Sequence, residues 1–304
     1  MQYFYSHGKL LLTGEYVILD GALGLGISTK KGQSLHVETI NEPKLIWKSH
    51  DFNGDIWFEH EFNLAQGSIL KSVKEVNPIA SMLLKIIGAA KALNPAFLED
   101  HKGYAVKTSL EFPRDWGLGS SSTLLNNIAN WADVDAYELL ERTFGGSGYD
   151  IACAQHDHPI SYQLISDGRI IQPVEFNPNF AKHLFFIHLN KKQDSREGIA
   201  KYRRNRSNIE KVVPKITAIS KLLINCHSLV NFEGLISQHE NIISRLVDTP
   251  TIKEQYFMDY KGSIKSLGAW GGDFILATAK DDPREYFFDR GYKTIIPFNE
   301  MVLK

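Results

Sequence analysis

Cysteine is almost absent from this chain. Two occur in 304 residues, Cys153 and Cys226, far apart and outside any CxxC pair. That argues against a disulfide framework or a zinc ribbon and makes a reducing compartment the expectation. Neither sign of charge prevails: 34 Lys and Arg face 35 Asp and Glu, a formal net charge of −1. No whole-chain field therefore draws nucleic acid or an anionic membrane. No run approaches the roughly 18–20 apolar residues that span a bilayer. The opening MQYFYSHGKLLLTGEY lacks the basic segment and continuous apolar run of a secretory signal. Repeats and low-complexity segments are also missing. The expectation is a cytoplasmic protein, monomer or homodimer, without nucleic-acid or membrane partners.

What is present is ordinary globular material, 43% hydrophobic and 23% charged, enough for one large or two medium domains. The first sixty residues read as short β segments: Tyr3–Tyr5, Lys9–Thr13, Tyr16–Leu19, Ser34–Ile40, Leu45–Lys48 and Ile56–His60. PIASMLLKIIGAAKAL then sets Ile79, Met82, Leu83, Ile86, Ile87 and Ala90 on one helical face. GYAVKTSLEF alternates as a half-buried strand and stops at Pro113. From Thr123 the apolar residues recur at helical spacing, and a second helix over about Asp135–Phe144 ends at Gly145-Gly146.

Further on, His183–Leu189 reads as a buried strand, followed by helical stretches around Glu197–Asn225 and Phe232–Leu246. Strand Phe274–Thr278, helix Pro283–Asp289 and strand Lys293–Phe298 complete the chain. Prolines at 173 and 178 mark a boundary, so two α+β domains are expected, 1–175 and 176–304.

Four segments carry chemistry. In RDWGLGSSSTLL a strand passes through two glycines into a helix start. Unpaired N–H groups and the helix dipole make such a start an anion site. Gly117 and Gly119 let an anion reach the backbone, and serines of the first turn can bind phosphate or a metal. Read alone, one serine caps the helix and the rest are solvated. SHGKLLLTGEYVILDG is not a Walker A loop, since no Ser or Thr follows Gly8-Lys9. By itself it is a β-hairpin with Lys9 and Glu15 exposed. In GGSGYDIACAQ, Asp150 is either a helix cap or a catalytic acid. KSLGAWGGDF places three glycines in five positions before an apolar strand, more than a tight turn requires.

Together, in this order along nearly the whole chain, LTGEYVILDG, GLGSSS, SGYDIA and KSLGAWGG resemble the GHMP kinase superfamily. SGYDIA is similar to the signature of its GYDIA subgroup, and GKLLLTGEYVIL looks most like mevalonate and phosphomevalonate kinases. The resemblance implies an N-terminal domain like ribosomal protein S5 domain 2 and a C-terminal ferredoxin-like domain, with ATP and acceptor in the cleft between them. It implies a nucleotide phosphate loop of Gly117, Leu118, Gly119, Ser120 and Ser121, with Ser121 and Glu141 as Mg²⁺ ligands. Asp150 matches the catalytic aspartate and Lys9 the lysine directed at the reacting hydroxyl. Gly268, Gly271 and Gly272 match the third motif, and Glu15 the acid of the first, placed near the acceptor.

The pattern is departed from in places. Asp115-Trp116 precedes GLGSS where small residues are usual, Trp270 replaces a glycine, and Asp273 follows the third motif. His156-Asp157-His158-Pro159 follows SGYDIACAQ and is a poor metal site. In the kinases the chain resembles, the position of NKKQDSREGIAKYRRNR carries an acceptor-contacting segment, so the resemblance implies Lys192, Ser195 and Arg196 as candidate acceptor ligands. Lys201–Arg206 read as a solvated helix face. The reading is Mg·ATP-dependent phosphoryl transfer to an anionic hydroxyl compound, mevalonate or phosphomevalonate foremost. The alternatives are a diphosphomevalonate decarboxylase-like enzyme, a sugar or homoserine kinase, and a catalytically silent binding protein.

Overall fold

A computed structural model describes residues 1–65, 68–69, 77–99, 102–191, 195–268, 270 and 272–304, with backbone alone for 65, 68, 69, 195–197 and 207. Its strands are β1 (Gln2–Thr13), β2 (Gly24–Ile40), β3 (Lys44–His50), β4 (Ile56–Ala65), β5 (Ser68–Ile69), β6 (Gly103–Leu110), β7 (Ile160–Ile165), β8 (Gly168–Pro173), β9 (Leu184–His188), β10 (Ile264–Ser266), β11 (Phe274–Thr278) and β12 (Ile295–Pro297). The helices are α1 (Pro78–Leu93), α2 (Ser120–Ala132), α3 (Ala136–Thr143), α4 (Tyr149–Gln155), α5 (Ser195–Arg204), α6 (Ile209–Ile224), α7 (Leu229–Val247), α8 (Ile252–Tyr256), α9 (Arg284–Phe288) and α10 (Phe298–Met301). Among the described residues a large mixed sheet runs β5-β4-β3-β6-β2-β7-β8, with β1 on β2, and a smaller antiparallel sheet runs β10-β11-β9-β12. No described helix is long and apolar enough to cross a membrane.

The chain divides into two compact units, neither continuous in sequence: 1–8, 31–114 and 119–155 form one, and 9–30, 115–118 and 156–304 the other. In the first unit β3 lies parallel to β6, and Gln33–Ile40 of β2 pairs antiparallel with β6. Helices α1, α2 and α3 cover that sheet through Leu83, Ile87, Leu125, Ile128 and Leu139, packed on Leu35, Leu45, Trp47 and Val106. Asn77 starts α1 by accepting the N–H groups of Ile79 and Ala80 ahead of Pro78. The buried stripe of α1 keeps Leu83, Ile86, Ile87 and Ala90 of the expected face, with Ala80 enclosed in place of Ile79, which is 40% exposed.

In the second unit β9 and β11 are buried along their whole lengths, which explains their unbroken apolar runs. Helices α6 and α7 bury Ile216, Ile219, Ile243 and Val247 with Val17 and Trp270. The expected strand at Tyr16–Leu19 is instead a 3₁₀ turn, Val17–Asp20. Gly14 at φ +96° and Tyr16 at φ +63° fold the chain back there, and neither fits an extended strand. The single helical stretch expected at Glu197–Asn225 is broken into α5, a 3₁₀ turn at Arg206–Asn208, and α6. The β7–β8 hairpin was not legible as strands from the sequence.

Candidate functional site

The first unit holds the helix-borne residues. Gly119 stands before α2 at φ +86° and offers no side chain, so no side-chain cap closes that helix start. Two of the four hydroxyls turn inward. Ser122 Oγ donates to Gly119 O at 2.8 Å, and Thr123 Oγ1 donates to Gln33 Oε1 at 2.6 Å. Ser120 is half-buried and Ser121 exposed, at the end where the helix N–H groups lack intrahelical partners. The helix start can therefore receive an anion on backbone N–H groups and on two hydroxyls.

A buried polar seam fixes α2 behind that end. Ser6 Oγ donates to Asn127 Oδ1 at 2.7 Å and accepts from Asn126 Nδ2 at 2.9 Å. Asn127 Nδ2 donates to Gln33 O at 2.9 Å. Gln155 Nε2, at the end of α4, donates to Asn126 Oδ1 at 3.0 Å. Since α4 also carries Asp150 in its first turn, the seam holds that acid's helix and the loop's helix to each other. Buried amides without partners would cost about 1–3 kcal/mol each, so the seam is self-consistent only with both helices in place. Asp150 is half-buried, and Glu141 is exposed on α3.

The second unit holds the rest. Lys9 lies on β1, and its backbone N–H donates to Leu118 O at 3.0 Å, tying 115–118 to that strand. Leu118 is fully buried, an apolar anchor in the middle of the glycine stretch. Gly117 has φ +65°, and a Cβ there would lie 2.4 Å from the Asp273 carboxylate. Gly268 has φ +72°, and its Cβ would lie 3.5 Å from Asp273 Oδ2. Asp273, itself at φ +56°, therefore presses its carboxylate against glycines of two separate motifs. In the sequence Asp273 stands out only as a departure from the motif; its proximity to Gly117 is a long-range fact that no local spacing encodes. Gly272 is buried beside it. Gly271 and Lys192 lie outside the described residues, as do the side chains of Ser195 and Arg196.

Glu15 is enclosed, 1% exposed. Its carboxylate accepts from Lys265 Nζ, which lies 3.1 Å from Glu240 Oε1 as well. Burial pushes the Glu15 carboxyl up to about 7, although Lys265 pulls the other way. Burial likewise raises Glu240 and holds His239 well below the usual histidine range, Lys265 adding to the second effect. Burial alone would lower Lys265; the two carboxylates outweigh it and raise the ammonium. Lys265 carried no signal in the sequence beyond standing before the third glycine motif.

The two tryptophans have packing roles. Trp116 sits edge-on to Phe274 at 5.4 Å, beside His188, whose Nε2 lies 3.2 Å from Asp115 O. Trp270 donates its backbone N–H to Tyr16 Oη at 2.9 Å and its indole N–H to Pro250 O at 3.2 Å. On α5 and just after it, Lys201, Arg203 and Arg204 are exposed as expected, while Tyr202 is buried and donates to Asp20, which Arg206 also engages. Among the described residues no three His, Cys, Asp or Glu side chains are grouped to hold a metal ion. A nucleotide-bound Mg²⁺ takes most of its oxygens from phosphate and water, so one hydroxyl and one carboxylate suffice from the protein.

No protein-family model matches the chain, and no curated protein sequence does. Solved structures do. Mevalonate kinase of Methanococcus jannaschii is 14% identical, with TM-score 0.70 over 97% of this chain and 96% of its own. Phosphomevalonate kinase of Streptococcus pneumoniae, in complex with phosphomevalonate and AMPPNP, is 16% identical, with TM-score 0.69 over 95% of each chain. Galactokinase of Lactococcus lactis, complexed with galactose, is 14% identical, with TM-score 0.68 over 99% of this chain and 93% of its own. The chain thus shares the mixed α+β fold of these three kinases over nearly its whole length.

Proposed function

We propose that this chain is a GHMP-type small-molecule kinase that transfers the γ-phosphoryl group of ATP to a hydroxylated, anionic metabolite, mevalonate or phosphomevalonate foremost. The observation that carries the reading is the open start of α2. It has a left-handed Gly119, no side-chain cap, and Ser120 and Ser121 outward while Ser122 and Thr123 are used inside. The fold supports it, and one neighbour's complex holds an ATP analogue.

In this reading Gly117–Ser121 bind the nucleotide phosphates through backbone N–H groups and hydroxyls, with Gly268, Gly271 and Gly272 shaping the adjoining surface. Ser121 and Glu141 would hold Mg²⁺, which neutralises phosphate charge. Asp150 accepts the proton of the acceptor hydroxyl as its oxygen bonds to the γ-phosphorus. The bond to the bridging oxygen breaks and ADP leaves. Such a base contributes about 10²–10⁴-fold; positioning and electrostatic stabilisation supply most of the remainder. Lys9 favours the developing alkoxide. Lys192, Ser195 and Arg196 contact the acceptor's anionic group, and Glu15, closed off from water, serves the first motif from within. The protein works in the cytoplasm, where Cys153 and Cys226 stay reduced.

The test is ADP release from Mg·ATP with mevalonate, phosphomevalonate, diphosphomevalonate, galactose and homoserine. Turnover with one of the first two supports the proposal. CO₂ accompanying ADP from diphosphomevalonate transfers it to the decarboxylase. Absence of both turnover and ATP binding refutes it and leaves a silent fold.

A further inference from the structure

Four titratable groups of the second unit, Glu15, His239, Glu240 and Lys265, are sealed from water, and no proton- or phosphoryl-transfer step proposed above uses them. Lys265 Nζ donates to Glu15 and, at 2.6 Å, to its neighbour's carbonyl, Ser266 O, and is ion-paired with Glu240 Oε1 at 3.1 Å. Ser266 Oγ donates to Glu240 Oε2 at 2.9 Å. Glu15 Oε2 lies 3.3 Å from His239 Nε2, which accepts the N–H of Gly14 at 3.0 Å. That acceptance leaves the imidazole neutral, so one ammonium faces two carboxyl groups.

Stability does not account for this arrangement. Desolvation offsets most of the attraction of a buried ion pair, and well-packed apolar side chains of similar volume are often as stable. What the cluster has and an apolar core lacks is directional connection. One end is the turn at Gly14–Tyr16, where Tyr16 is held at φ +63°, a left-handed conformation costly for a residue with a Cβ. The other end is Lys265-Ser266, immediately before Leu267 and Gly268. A second tie runs parallel to the first, from the Trp270 N–H to Tyr16 Oη. The turn continues directly from β1, whose Lys9 N–H holds Leu118. The Asp273 carboxylate, against Gly117 and Gly268, completes the circuit.

We infer that Lys265 is a positioning residue: its ammonium locks the Gly14–Tyr16 turn to the glycine stretch at Gly268, so that the two loops hold one register. The consequence for nucleotide rests on the kinase reading; the lock itself does not.

Hydrogen exchange of the unliganded protein tests the lock directly. Glu15→Gln keeps the Lys265–Glu240 pair and weakens only the link to the turn. Lys265→Met combined with Glu15→Gln and Glu240→Gln removes the charges together and leaves none unpaired. Ser266→Ala is the control, because it cuts the bond to Glu240 without touching the turn. Amides of 14–18 and 264–268 should both exchange about tenfold faster or more in the triple variant, and in the same direction in Glu15→Gln. Ser266→Ala should speed 264–268 alone. Unchanged exchange at 14–18 in Glu15→Gln and in the triple variant overturns the inference. So does Ser266→Ala loosening 14–18 as much as Glu15→Gln, which would mean general softening. Mg·ATP affinity, read in parallel, should fall about tenfold in the triple variant and stay near wild type in Ser266→Ala. A wild-type protein that binds no Mg·ATP defeats the kinase reading while the exchange result still decides the lock.

Discussion

Replacing Glu15 with Gln should change how the stability of this protein depends on pH, and the sign follows from its surroundings. Burial raises the Glu15 carboxyl from 4.5 to about 7. The folded protein thus keeps this proton where the unfolded chain has lost it. The stabilisation from this group is complete below pH 4.5 and disappears as pH rises through 7. One proton corresponds to about 1.4 kcal/mol per pH unit. Over the interval from 4.5 to 7 the total is about 3 kcal/mol.

His239 acts oppositely. Its folded form stays neutral, so its contribution is present above 6.5 and lost as pH falls below it. In wild type the two effects oppose each other between pH 4.5 and 6.5; in Glu15→Gln the Glu15 contribution is gone, while those of His239 and of the raised Glu240 carboxyl are common to both proteins and cancel in the comparison. Urea unfolding at half-unit steps from pH 4.5 to 8 gives the difference between the two proteins. That difference should move in favour of Gln by about 3 kcal/mol as pH rises to 7, then level off. Parallel curves, or movement the other way, would refute the claim that Glu15 holds its proton inside the fold.

Other consequences can be checked independently. Gly117→Ala should abolish Mg·ATP binding, since its Cβ would meet the Asp273 carboxylate at 2.4 Å in a left-handed conformation; titration calorimetry with Mg·ATP reads this, and adding Asp273→Gly should restore part of the affinity. Asp150→Asn should lower kcat about 10²–10⁴-fold with little change in Mg·ATP affinity, measured by steady-state ADP release. Asn126→Leu breaks the seam between α2 and α4 and should destabilise by about 1–3 kcal/mol, read by urea unfolding. Saturating Mg·ATP should raise the melting temperature of wild type by the linkage relation, about 2.7 kcal/mol of stabilisation at one hundred times Kd.

Several features were legible because they depend on neighbours in sequence. The strand–glycine–helix reading of residues 104–132, α3 from Asp135, and the buried strands β9 and β11 all rest on local spacing, turn chemistry and unbroken apolar runs. Others were not, because another element overrode the local pattern. VILD has the composition of a strand, yet Gly14 and Tyr16 turn it into a 3₁₀ segment whose Val17 and Ile18 are buried. Arg206 has the look of a solvated charge until Asp20, nearly two hundred residues earlier, is placed against it.

By itself, then, the amino-acid order determined in which local elements the candidate residues sit: glycines before a helix start, a lysine on a strand, an acid at the head of a short helix. These are consequences of backbone freedom, capping and periodicity, which act over a few residues. Only the tertiary structure decided what faces what. It turned Ser122 and Thr123 inward, set the Asp273 carboxylate on Gly117 and Gly268, and enclosed Glu15 with Lys265. Burial and charge pairing depend on segments far apart in sequence, and no spacing along the chain records them.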